Sequence, residues 1–119
     1  MTGTLSDWDP TDLRRIISLA GPQDGVQILH HLRADLESAR ETLLSALAAR
    51  DNPTLRRASH VLIALCGTAG ARSLHRTAEE FHGHLLQGTE ATATALADRL
   101  AEGVLGLSAL ISDELARWT

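Results

Sequence analysis

The sequence predicts an all-α domain, an antiparallel up-and-down four-helix bundle with a short extra helix at its N-terminus. Three observations lead there. The apolar content is mostly Leu and Ala, both strong helix formers. β-Branched residues are thin and aromatics are scarce, with only Trp8, Phe81 and Trp118, so strands have little to be built from. Proline and glycine also divide the chain into apolar-periodic segments joined by short connections, and short connections make sequential helices antiparallel neighbours.

The 119 residues suffice for one helical core, read as one domain over residues 1–119. Asp9-Pro10 reads as an N-cap followed by proline at the first helical position, with Asp12 placing negative charge in the first turn. A short helix over about 10–20 then carries Leu13, Ile16 and Ile17 on one stripe. Gly21-Pro22 stops it. A long helix over about 23–50 follows, with Leu29, Leu32, Leu36, Leu43 and Leu47 at three- and four-residue steps. Arg33, Asp35, Glu37, Arg40 and Glu41 lie off that stripe.

Asn52-Pro53 repeats the cap-plus-proline signal. It opens a helix over about 53–69 with Leu55, Ala58, Leu62, Leu65, Cys66 and Ala69 inward. Gly70 is placed to break it. The next helix, about 71–86, turns Leu74, Ala78, Phe81 and Leu85 inward. Gln87-Gly88-Thr89 reads as a turn with Thr89 as a cap. The last helix, about 90–117, has Leu96, Leu100, Leu107, Ile111 and Leu115 on its stripe, and Gly103 and Gly106 weaken its middle toward a bend. Trp8 and Trp118 are expected to pack at the ends of the bundle.

A net charge of -4 argues against nucleic-acid binding, which needs a basic patch, and against attraction to an anionic membrane. The single Cys66 permits no internal disulfide and suits a reducing cytosol. No secretory signal pattern opens the chain, and no apolar run approaches the roughly 20 residues that span a bilayer. The expected setting is cytoplasmic, and the expected state a monomer.

One side chain stands outside this core pattern. At about 100° per residue, Leu62, Ala69 and Ala58 fall nearly opposite His60 on the third bundle segment. Arg56 and Gly67 share its outer face, Ile63 and Ala64 flank it, and Arg57 lies further round. A neutral imidazole in water, near two cations and beside small residues, suits a phosphoryl acceptor. On position alone, a solvated histidine on a polar face is the commoner reading.

The local string is more specific. RRASHVLIALCGTAGA, from Arg56 to Ala71, resembles the signature of histidine phosphotransfer (HPt) domains. That signature is a histidine, then leucine two later, lysine three later, glycine four later and another glycine ten later, usually followed by alanine. His60, Leu62, Gly70 and Ala71 match it, and Gly67 matches a small residue common inside the motif. Leu74 and Glu79-Glu80 agree with the family's layout. Ile63 stands where the family has lysine, and Ala64 where it has the first glycine.

The resemblance implies a phosphorelay carrier. His60 would take a phosphoryl group from a receiver-domain aspartate, hold it as phosphohistidine and pass it to another receiver. The partners implied are receiver domains of hybrid histidine kinases and response regulators. The receiver would bring the Mg²⁺; this chain would need no cofactor, and it carries no Gly-rich phosphate loop or ATP site. The competing reading, motivated by Ile63 and Ala64, is a non-catalytic helical interaction module that binds receiver or kinase domains without transfer.

Three further features carry less. His75, Glu79 and His82 share a helical face, but a di-iron-type site needs a second Glu-x-x-His, which is absent, so a solvated face is expected and no metal. His84 points away from this set. His30 and His31 are adjacent and cannot share a face. Cys66, on the inward side, is expected to act as a small hydrophobe.

The loss of the family's lysine generates a test. If Arg56, one turn before His60, supplies the missing charge, Arg56→Ala slows phosphoryl transfer about five-fold, the effect of removing roughly 1 kcal/mol of transition-state stabilisation. An unchanged transfer rate would exclude that role.

Overall fold

The computed structural model describes residues 8–87 and 90–119. Five helices account for nearly all of them: α1 (Thr11–Ala20), α2 (Pro22–Ala49), α3 (Asn52–Ala69), α4 (Arg72–Gln87) and α5 (Glu90–Trp118). Among the described residues there is no strand. The expected turn residues Gly88 and Thr89 lie outside the described residues.

The helix boundaries follow from local chemistry, with two corrections of one residue each. Pro10, not Asp9, occupies the N-cap position of α1, and its carbonyl accepts from the Arg14 amide at 2.8 Å. Asp9 still serves the end of the helix from one residue earlier. Its Oδ1 accepts from the Thr11 amide at 3.0 Å and from the Thr11 hydroxyl at 2.6 Å, which holds the carboxyl below its ordinary range. At α3 the cap is Asp51, with Asn52 and Pro53 already helical. Asp51 accepts from the Thr54 amide and hydroxyl, and its carboxyl is likewise lowered. In both cases the aspartate rather than its neighbour finds the free N–H groups. α2 starts with Pro22 directly after Gly21 and stops at Arg50, which takes the left-handed conformation at φ 54°.

Most of the side chains that the periodicity turned inward are buried; Leu47, Leu65 and Leu85 are only partly covered at the edge of the core, and Ile16 of α1 is 43% exposed. The core runs from Leu13 and Ile17 of α1 through Leu29, Leu36 and Leu43 of α2, Leu62 and Cys66 of α3, and Leu74 and Phe81 of α4 to Leu100, Leu107 and Ile111 of α5. α2 packs on α3 and α5, and α4 packs on the same two; α1 lies against α2 and touches α3. The molecule measures 44 × 23 × 21 Å, its long dimension being the length of a helix of about 28 residues at roughly 1.5 Å per residue. No described helix is long and apolar enough to cross a membrane.

Polar contacts from residues off the α2 stripe join α2 to α5. Arg40 Nε donates to the Ala101 carbonyl at 2.8 Å, Ser108 donates to Glu37 at 2.7 Å, and Arg33 donates to Ser112 at 3.2 Å. The arginine stems cover apolar surface while their heads reach across. Near the chain ends Glu114 is only 3% exposed and accepts from Arg14 Nε at 3.1 Å and from the Trp118 indole at 3.3 Å. Trp8, half-buried, donates its indole N–H to the Ala69 carbonyl at 2.8 Å, so both tryptophans pack at helix ends as expected.

Two glycines are required by close approach. Gly25 lies where α1 crosses α2, and a Cβ there would sit 2.9 Å from the Ile17 carbonyl oxygen. Gly70 ends α3 at φ 81°, and the Asp9 carbonyl occupies the place its Cβ would take. α5 is one continuous helix from Glu90 to Trp118, and within it Gly103 is buried where the Leu74 side chain of α4 fills the missing Cβ's space.

Gly70→Ala therefore loses about 2 kcal/mol, from the left-handed backbone and the collision with Asp9, whereas Gly83→Ala, with nothing within 4 Å of the added methyl, gains roughly 0.5–1 kcal/mol from helix propensity. Urea unfolding of the two variants checks this opposite sign. The Arg14 hydrogen bond is the main cause that lowers the Glu114 carboxyl below its ordinary value, against the opposing effect of burial. A lowered native value stabilises the fold above the unfolded value and is lost as pH falls through the native one. Glu114→Gln should thus cost about 2 kcal/mol at pH 7, and progressively less below pH ~4.5 as the wild-type carboxyl becomes protonated; thermal melts between pH 7 and pH 3 measure it.

Candidate functional site around His60

α3 reaches the surface along one arc. Leu55, Ala58, Leu62, Cys66 and Ala69 are buried, whereas Arg56, Arg57, His60, Val61, Ala64, Gly67 and Thr68 are exposed. His60 is in the middle of that arc and of the helix, as its spacing predicted. The backbone beneath it is ordinary α-helix, held by the core on the opposite face.

The exposed arc is not symmetric about His60. α4 leans over one side of it, so Ser59 is fully buried and Ile63 is half-buried against the core. This corrects the expectation that Ile63 flanks the imidazole as a surface group. Its side chain is used in packing, and its carbonyl accepts from His75 Nδ1 at 2.8 Å. The other side, through Ala64, Arg57 and Val61, stays open. Val61 is 45% exposed, so the apolar part of the open surface is there.

The two expected cations differ. Arg57 donates to the Thr54 hydroxyl at 3.0 Å, which ties it to the start of α3. Arg56 is exposed and makes no ion pair among the described residues, so its guanidinium is available near His60. Ala64 adds one methyl group to the open surface. Gly67 is exposed at its Cα and underlies His75: a Cβ there would meet His75 Nδ1 at 3.3 Å. Gly70 belongs to the helix end described above and acts on the site only through the placement of α4.

The α4 histidines separate into different roles. His75 donates from Nδ1 to Ile63, and its Nε2 lies 3.6 Å from Glu79, an ion pair when the ring is protonated. His82 leaves that pair and turns toward α3. Its Nδ1 lies 2.7 Å from Ser59 Oγ, and its ring is 6.2 Å from the His60 ring, tilted by 48°. The three residues that share a face on the helical wheel therefore do not converge, and among the described residues no group of three potential ligands could hold a metal. His84 lines a cavity of about 490 Å³ between the ends of α2, α3, α4 and α5, away from His60, with Nδ1 buried and unpartnered. His30 and His31 are both exposed.

Cys66 is buried, and burial pushes its thiol up to about 12. It stays protonated and packs as a small hydrophobe, as its position indicated.

The residues missed by spacing alone are Ser59 and His82. The wheel puts Ser59 at the edge of the polar face, and only the approach of α4 buries it. The signal for His82 was its position one face away from the Leu74–Ala78–Phe81 stripe, but without the partner helix that position does not name Ser59 or His60. Compared with protein-family models, with curated proteins and with solved structures, the chain gives no match.

Proposed function

We propose that the chain is a histidine phosphotransfer protein, an antiparallel up-and-down four-helix bundle (α2 to α5, with α1 covering one flank) that relays a phosphoryl group between receiver aspartates through His60. The observation that carries the reading is the placement of His60: an exposed imidazole at mid-helix, on an arc otherwise made of two arginines, Val61 and small residues, with a packed core behind it. Such an arc lets a second protein bring a phosphoaspartate to the ring without steric obstruction.

The chemistry asks little more of this chain. His60 Nε2 attacks the phosphorus, the bond from phosphorus to the aspartyl oxygen breaks, and its electron pair stays on the aspartate carboxylate. Transfer of this kind is mainly positioning and charge stabilisation. The receiver supplies its own Mg²⁺, and Arg56 answers part of the added charge in place of the family's lysine. The cytoplasm, where receivers and kinase domains meet, is the setting this role requires.

The site does not favour the non-catalytic module on the strength of Ile63. That residue is half-buried and packed against the core, and its carbonyl accepts from His75 of α4. Purified wild type incubated with a phosphorylated receiver domain should acquire acid-labile phosphate, and His60→Gln should acquire none. Binding to a receiver with no phosphoryl uptake by wild type would replace the carrier with the interaction module.

A further inference from the structure

A short hydrogen-bonded chain runs along the α3–α4 seam from the Arg56 carbonyl to His82, whose ring lies beside that of His60. It begins at the Arg56 carbonyl, to which the fully buried Ser59 hydroxyl donates at 2.9 Å. A hydroxyl has one proton to give. The arrangement that satisfies both contacts has Ser59 donating to the Arg56 carbonyl and His82 Nδ1 donating to Ser59 Oγ across the 2.7 Å contact. In that arrangement His82 is the Nδ1–H form, and its Nε2 carries a lone pair with no hydrogen-bond partner among the described residues. The next ring is that of His60. Ring centroids 6.2 Å apart leave roughly 4 Å between facing edges, a gap that one bridging water or a small side-chain rotation closes.

We propose that His82 is a positioning residue for His60: its Nε2 accepts the His60 Nδ1 proton, directly or through one water, and so leaves the lone pair on His60 Nε2 as the nucleophile. The inference rests on the phosphotransfer reading for its consequence, but the pairing of the two rings is independent of it. The logic is that of any base-and-orienter pair, in which the far nitrogen's partner decides which near nitrogen reacts.

The proton balance gives His82 a second task. When His60 Nε2 bonds to phosphorus and the aspartate leaves with the electron pair, the phosphorylated ring is cationic while Nδ1 keeps its proton. Passing that proton to His82 Nε2 leaves a neutral phosphoimidazole beside an imidazolium, a cation next to the new phosphoryl dianion where the motif's lysine is replaced by Ile63. Returning the proton to Nδ1 restores the cationic ring, which is the better leaving group for onward transfer. Ser59 takes no part in the proton movement; it fixes which nitrogen of His82 faces outward.

Two readouts on the full chain test this, with His82→Leu and Ser59→Ala as separate variants. The first is the rate of phosphoryl uptake from a phosphorylated receiver. The second is the tautomer of His60 in the unphosphorylated protein, read from two-bond ¹H–¹⁵N couplings of the imidazoles. Wild type should show His60 as Nδ1–H. His82→Leu should slow uptake at least about ten-fold, the low side of what a positioned proton acceptor contributes, and move His60 toward Nε2–H. Ser59→Ala should do both to a smaller degree, since His82 remains present but unanchored. An unchanged uptake rate and tautomer in His82→Leu would overturn the proposal while leaving the carrier role in place. If wild type takes up no phosphoryl group, the carrier role falls. The tautomer shift in His82→Leu then still decides the ring pairing, and its absence overturns it.

Discussion

The seam between α3 and α4 is the constraint on which the rest of the site depends. Leu62 and Cys66 from one side and Leu74, Ala78 and Phe81 from the other are almost wholly withdrawn from water. Burial at that level, at about 25 cal/mol per Å² of apolar surface, sets the position of α4 far more firmly than any surface contact does. Everything polar along the seam is arranged around it. Ser59 is buried because α4 covers it, His75 reaches the Ile63 carbonyl because Gly67 has no side chain in the way, and His82 reaches Ser59 because Phe81 beside it is held in the core.

The same packing explains why His60 is exposed while Ser59 beside it is buried. A helix covered on one face by its partners exposes an arc, and the arc's position depends on how the covering helix leans. Here α4 takes the Ile63 side and leaves the Ala64 and Val61 side open. Ile63, which stands where the resembled motif has lysine, is thereby partly drawn into the packing. Two other glycine contacts serve the same end at a distance. Gly103 lets α5 approach Leu74 closely, and Gly70 lets the segment before α1 pass over the end of α3, where Asp9 and Trp8 bond to it.

Charge is used sparingly and at the margins of this core. The Arg14–Glu114 pair closes one end of the molecule between α1 and α5, with the Trp118 indole satisfying the same carboxylate. Burying a carboxylate is costly unless it is paired and hydrogen-bonded, and Glu114 has both. The α2–α5 contacts of Arg33, Glu37 and Arg40 are of a different kind: long side chains at the border of the core that reach a carbonyl or a hydroxyl on the facing helix.

By itself the sequence determined the helices, the inward face of each, and the isolation of His60 from the core. Those properties are local: apolar side chains recur with the helical period, and proline, glycine and aspartate mark the ends through backbone groups a few residues away. Boundaries were legible to within a residue or two, the errors arising where Asp51 rather than Asn52 reached the free amides. Only the tertiary structure decided which residues meet across helices. The burial of Ser59, the half-burial of Ile63, the turning of His82 away from His75 and Glu79 toward Ser59 and His60, and the close approach of Leu74 to Gly103 all depend on the rotation and lean of a neighbouring helix. That rotation is chosen by how whole apolar faces interlock, a sum over many distant side chains that no spacing within one helix encodes.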